Sequence, residues 1–141
     1  MNATATTALA FDYGERRIGV AVGQTITRTA SPLATLPAKD GQPAWPAVQK
    51  LLDEWRPDCL VVGMPTTADG APHALAEPIA RFARRLGGRY KLPVYFVDER
   101  LSSHAAHEDA RDSRHGIDAH AAALILETWL TGHTARHLEP T

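Results

Sequence analysis

Ala8-Leu9-Ala10-Phe11-Asp12-Tyr13-Gly14-Glu15-Arg16-Arg17-Ile18-Gly19-Val20-Ala21-Val22 is the stretch on which the fold turns. It contains two short apolar runs on either side of a polar turn, and the first run stops abruptly at an acid. Runs of this length bounded by polar and glycine residues read as two strands of a hairpin. A third extended segment around Ala34-Thr35-Leu36, bounded by Pro32 and Pro37, extends the pair to an antiparallel meander. Asp40-Gly41-Gln42-Pro43 then punctuates the chain.

Beyond that point the periodicity changes. Trp45, Val48, Leu51, Leu52 and Trp55 recur at three- and four-residue intervals, as on one face of a helix that Arg56-Pro57-Asp58 stops. Cys59-Leu60-Val61-Val62-Gly63-Met64 is apolar throughout, as expected of a strand covered on both faces. Pro65 to Pro72 reads as a loop. Leu75, Ile79, Phe82, Leu86 and Tyr90 define a second helix that starts or kinks near Pro78, with Gly87-Gly88 weakening its last turn. Leu92-Pro93-Val94-Tyr95-Phe96-Val97 is a further buried strand leading into Asp98-Glu99-Arg100. A short helix from Ser102-Ser103 to about Ala110, a polar loop from Arg111 to Gly116, an alanine-rich helix from Ile117 to Leu130 and a frayed tail from Gly132 complete the reading.

Strands separated by helices pair in parallel through right-handed crossovers, whereas the first three can pair as antiparallel hairpins. The expected architecture is therefore α/β: a mixed five-stranded sheet, three antiparallel strands then parallel ones, flanked by helices and with the first strand central. This is the element order of the ribonuclease H-like fold. The 141 residues suit a single domain, with an ordered core expected over about 8–131 and flexible termini.

Composition narrows the function classes. The chain is 44% hydrophobic and 22% charged, with no apolar run near bilayer length, so a membrane partner is not expected. Met1 to Thr7 carries no positive charge and no apolar core, unlike a secretory or transit peptide, and a cytoplasmic location follows as the expectation. The single cysteine, Cys59, forms no internal disulfide and sits among apolar neighbours as a small buried hydrophobe. With a net charge of −1, attraction of a polyanion must come from a local patch. Arg81, Arg84, Arg85, Arg89, Lys91 and Arg100, set against Asp98 and Glu99, supply one.

Four acids, Asp12, Asp98, Glu99 and Asp118, fall where strands end or a helix begins. In open α/β sheets the ligand site lies beyond the carboxyl ends of the parallel strands. Gathered there, carboxylates repel one another and persist around a cation. This pattern points to metal-dependent phosphoryl transfer. Because side chains alternate along a strand, Asp98 and Glu99 cannot both face the site, and Glu99 has the longer reach. Asp118 shares a helical face with Ala122, Ile125 and Trp129, which aims it at the sheet; a first-turn acid favoured by the helix dipole is the plainer reading. His120 lies on roughly the opposite face, within reach of a phosphate or a water.

The hairpin stretch, together with Val61-Val62-Gly63-Met64-Pro65 and Asp69-Gly70, Val97-Asp98-Glu99-Arg100-Leu101-Ser102, and Asp118 through Leu126, resembles the four motifs of the YqgF family, in order from Leu9 to about Leu130. These bacterial proteins are related to RuvC-type Holliday-junction resolvases and are described as nucleases of pre-16S rRNA. The resemblance implies a ribonuclease H-like fold and a metal-dependent endonuclease maturing the 5′ end of pre-16S rRNA. Asp12, Glu99 and Asp118 are then both the catalytic acids and the ligands of Mg²⁺ or Mn²⁺. Nucleic acid is the implied partner: precursor rRNA, with ribosomal particles and branched DNA as further candidates. Two readings stay beside it, a junction-type DNA resolvase and a non-catalytic ribosome- or transcription-associated RNA-binding module.

Candidate substrate contacts are Gly14, Arg16, Arg17, Asp69, Arg85, Arg100 and His120. Gly14 and the turn after Asp12 can bring backbone N–H groups to a phosphate with Arg16 or Arg17 adding charge, or can be a hairpin turn with solvated arginines. Arg81, Arg85 and Arg89 form a helical stripe that is either a solvated face or a track for the RNA backbone. The sequence departs from the resolvase relatives in one respect: the fourth strand, Cys59 to Met64, carries no acid, so Glu99 must act from the strand beyond it. Two further departures from common family residues, Gly23-Gln24 and Thr66-Thr67, also fall near the expected site.

Overall fold

The computed structural model describes residues 6–65, 74–98, 116–132 and 135–138. The chain begins with the antiparallel meander β1 (Thr7–Asp12), β2 (Arg17–Gln24) and β3 (Thr29–Lys39), followed by the short strand β4 (Gln42–Pro43). Helix α1 (Trp45–Trp55), strand β5 (Cys59–Met64), helix α2 (Ala76–Tyr90) and strand β6 (Val94–Asp98) come next. Helix α3 (Gly116–Leu130) and strand β7 (Ala135–Leu138) complete the described elements. The sheet order is β4-β3-β2-β1-β5-β6-β7. β1 is central, antiparallel to β2 and parallel to β5, and β5 is parallel to β6.

The five expected strands and the central position of β1 are present, but among the described residues the sheet has seven strands rather than five. Gln42–Pro43, read as punctuation, pairs with Ala38 and Lys39 across a tight corner in which Gly41 takes φ 81°. Ala135–Leu138, read as tail, pairs antiparallel with Val94 to Val97. β7 covers the outer edge of β6, whose backbone groups would otherwise lack ladder partners, whereas β4 pairs only with the Ala38–Lys39 end of β3. Four-residue and two-residue strands leave little periodicity in a sequence. The expected helix over 102–110 lies outside the described residues.

Alternation along β1 explains the layering. Leu9 and Phe11 join Ile18, Val20, Leu60, Val62, Val48 and Phe82 in the core under α1 and α2. Ala8 and Ala10 face the other way, with Ala21, Val61, Ala122, Ile125 and Leu126 in the core under α3. β2 carries the same asymmetry: Ile18 and Val20 belong to the first core, whereas Gly19, Ala21 and Gly23 present almost no side chain to α3. A helix can therefore lie unusually close on that face. α3 meets this demand by being apolar nearly all round, as a buried helix is. Ala119, Ala122, Ile125 and Leu126 are fully buried.

The helix ends follow local chemistry. α1 carries Pro46 in its first turn, where a missing N–H costs nothing, and closes on Arg56 in the left-handed region with its N–H donating to the Leu52 carbonyl. Trp55, read as part of the apolar face, is 38% exposed, and Val48 and Leu52 carry the burial instead. α2 tolerates Pro78 because the helix begins at Ala76, and it continues through Gly87-Gly88 to Tyr90 with Gly87 buried. β5 is tied to β1 by the Asp58 carboxylate, which accepts from the Thr7 N–H, while the Asp58 N–H donates to the Thr7 carbonyl.

Candidate active site

Asp12 is the last residue of β1 and lies in phase with Ala8 and Ala10, on the face that α3 covers. Its register partner on β2 is Gly19. At Gly19 the strand and helix nearly touch: a Cβ built there would overlap the Asp118 carbonyl and lie 2.8 Å from the Ala119 nitrogen. The first turn of α3 is thus seated on the strand position directly across from Asp12. Two acids from opposite ends of the sequence are brought to one edge of the sheet by a pairing and a missing side chain.

Asp118 is engaged by a cation. Arg17 donates from Nε to Asp118 Oδ2 at 3.0 Å, with the arginine side chain 68% exposed and the aspartate 28%. An ion pair this open to water stabilises the fold by less than about 1 kcal/mol, so its interest lies in position rather than energy. Arg17 is brought there by the turn that Gly14 closes: a Cβ on Gly14 would collide with the Arg17 carbonyl. Gly14 is therefore fixed by the turn's own packing. Arg16 is exposed, and its carbonyl accepts from the Ala38 N–H.

The other expected site residues separate into three groups. Asp98 is in phase with Val94 and Phe96, which pack with the core under α1 and α2, and so lies on the sheet face opposite Asp12. Strand β5 intervenes between the strands bearing Asp12 and Asp98, a separation of about 10 Å. His120 is half-buried, two residues beyond Asp118 and about 200° around α3. Arg85 is exposed on α2, where it and Arg81 act on the Tyr13 hydroxyl. Asp69, Glu99 and Arg100 lie outside the described residues. Among the described residues no three His, Cys, Asp or Glu side chains form a cluster able to hold a metal ion.

The residues that sequence reading did not single out are Gly19 and Tyr13. Tyr13, next after Asp12, turns to the opposite face and packs on Phe82 with ring centroids 5.5 Å apart. Its pKa is raised, chiefly by burial and then by Glu15, with Arg81 and Arg85 opposing the rise, so at neutral pH it is a hydroxyl donor. The alternation of small residues at 19, 21 and 23 was visible in the sequence and marks where α3 sits. Cys59 is buried, and burial with the nearby Asp58 pushes its thiol up to about 12, which suits a core residue and not a nucleophile.

A family model described as RuvX, Holliday junction resolvase, matches residues 6–132. The chain belongs to this family. Among curated relatives, a protein from Hydrogenovibrio crunogenus is 48% identical over 122 residues, covering 86% of this chain and 91% of the relative. One from Azotobacter vinelandii is 50% identical over 134 residues, covering 90% and 94%. Both are provisionally named pre-16S rRNA nuclease. The structure of Thermus thermophilus RuvC in complex with a Holliday junction substrate is similar with a TM-score of 0.61 and 18% identity, covering 94% of this chain and 99% of that one. That likeness establishes the shared ribonuclease H-like fold.

Proposed function

We propose that this RuvX-family chain is a metal-dependent endonuclease that hydrolyses RNA phosphodiester bonds in maturing the 5′ end of pre-16S rRNA, acting in the cytoplasm on free or particle-bound precursor. The observation that carries the reading is the seating of Asp118 on Gly19, opposite Asp12. The names of the curated relatives support the RNA substrate. Asp98 lies in phase with residues on the sheet face opposite Asp12, which supports Glu99 as the third carboxylate.

An all-carboxylate donor set fits a hard divalent cation such as Mg²⁺ or Mn²⁺, and Asp12, Glu99 and Asp118 would hold it. When bound, the ion supplies Lewis-acid stabilisation of the charge that develops on a phosphodiester under attack by water. The chain's own contribution is placement. Gly19 fixes the first turn of α3 against the sheet, so Asp118 keeps its position relative to Asp12 without a mobile side chain between them. Arg17 lies beside Asp118 and would meet a phosphate laid across the acids.

A DNA reading is favoured by one finding, the family model's description as a Holliday junction resolvase. Incubation with precursor rRNA and with four-way DNA junctions, with and without Mg²⁺ or Mn²⁺, separates the two. Asp12→Asn, Glu99→Gln and Asp118→Asn are each expected to abolish cleavage while leaving binding in place. Cleavage at the wild-type rate in all three removes these acids from the mechanism.

A further inference from the structure

The catalytic edge is small, and a nucleic-acid strand crossing it must be held elsewhere. Tyr13 shows where. It follows Asp12 directly and turns to the α1/α2 face, where Phe82 is the hub of an aromatic group: Phe11, Tyr13 and Trp45 all contact it, at centroid separations of 5.8, 5.5 and 6.2 Å. Along the margin of this group runs the arginine stripe of α2. Arg81 and Arg85 act on the Tyr13 hydroxyl, and the Arg89 guanidinium lies over the Trp45 ring at 4.3 Å. All three arginines are exposed.

At Arg89 the stripe is thus more than a solvated face. A guanidinium stacked on an indole is held flat and partly desolvated, with its outer surface and N–H fork still available. Its ordering cost is met before any ligand arrives. Spacing of four residues repeats the charge about every 6 Å along the helix, which is comparable to the separation of successive phosphates in a nucleic-acid strand. Glu15 and Asp40 lie near Tyr13 as well, and Asp53 lies near Tyr90. Asp53 is already engaged by the Gln49 amide at 2.9 Å. Acids therefore neighbour the stripe near both Tyr13 and Tyr90, and its three arginines outnumber them only where the guanidinium groups face outward.

We infer that Arg81, Arg85 and Arg89, the last braced by Trp45, form a backbone-binding track for the RNA flanking the scissile bond, so that the flank runs from Asp12 over Tyr13 onto the α1/α2 face and not over α3. The inference rests on the nuclease reading for its substrate. It is sequence-independent, since phosphate contacts position a strand without reading it.

The test is equilibrium binding of a fluorescent single-stranded RNA in EDTA, using the Asp12→Asn protein so that no cleavage intervenes. Each phosphate contact to a single strand contributes about −0.7 to the slope of log affinity against log salt. The triple variant Arg81→Ala/Arg85→Ala/Arg89→Ala is therefore expected to lose about two units of slope. Between 50 and 200 mM salt its affinity should fall about 20-fold less than that of the parent. Arg84→Ala, about 100° around the helix from Arg85 and on the far side of Arg81 from it, should leave the slope unchanged. Trp45→Leu should weaken binding while retaining the parent's slope, because the charge remains and only its brace is lost. Parental affinity and slope in the triple variant, or an equal loss in Arg84→Ala, would overturn the track. The triple arginine variant made in the protein with Asp12 intact, if it binds RNA normally yet no longer cleaves in Mg²⁺, would also overturn it. Track-dependent binding by a wild-type protein that never cleaves RNA would leave the track standing and remove the nuclease reading instead.

Discussion

Gly19→Ala is the sharpest test of how the site is assembled. The added methyl would overlap the Asp118 carbonyl and lie 2.8 Å from the Ala119 nitrogen, where ordinary contact begins at 3.4 Å. Clearing the nitrogen alone requires α3 to retreat by about 0.6 Å, and clearing the carbonyl requires more than twice that. Neither obstacle is the tip of a side chain that could rotate away; both are backbone. Overpacking of this kind costs about 1–3 kcal/mol, which in a chain of this size lowers Tm by roughly 4–12 °C. The effect on chemistry should be larger than the effect on folding, because a misplacement near 1 Å costs on the order of 100-fold in rate. The assay is a thermal melt beside single-turnover cleavage at saturating Mg²⁺. Gly88→Ala is the matched control: nothing lies within 4 Å of a Cβ there, and a helical glycine replaced by alanine gains about 0.5–1 kcal/mol. A Gly19→Ala protein that melts and cleaves like the parent would refute the seating of α3 on β2.

Other outcomes follow from the same geometry. Phe82→Ala removes the ring shared by Phe11, Tyr13 and Trp45 and should cost about 3–5 kcal/mol, read as a denaturant midpoint shift. Arg17→Met should leave stability within about 1 kcal/mol of the parent by the same measurement, since the pair with Asp118 is open to solvent. The Cys59 thiol should resist a thiol reagent at pH 8 until the chain unfolds. Its raised folded-state pKa means that its contribution is complete below about 9 and is lost as pH rises toward about 12, so Cys59→Ala should flatten the alkaline fall in stability.

Much of the fold was legible because most elements carry a period. β1, β2, β5 and β6 are apolar runs bounded by turn residues, and α1 and α2 repeat at three and four residues, so order and pairing follow from connection length. β4 and β7 were not legible, since two and four residues cannot establish a period against the bounding turns. Trp55 keeps the helical period of the apolar face yet is 38% exposed in the last turn of α1, which spacing alone does not reveal. For the site, the position of Asp12 at a strand end was plain, and the alternation rule left room for only one of Asp98 and Glu99 to face it. The Arg17–Asp118 pair was not readable, because long-range pairing of exposed charges leaves no trace in spacing. Gly19 looked like any glycine in a strand until the helix above it was in place.

The borders of the sheet have a consequence for how this protein behaves in a crowded solution. One border is β3, which β4 covers only at Ala38 and Lys39 and which carries Pro32 and Pro37 along the rest; the other ends in the four residues of β7. On β3 the prolines withhold donors that an approaching strand would need, and the short β7 offers it little length to zip along. Sheet-to-sheet polymerisation is discouraged by the backbone itself, independent of the modest net charge, so copies of the chain can accumulate without templating one another.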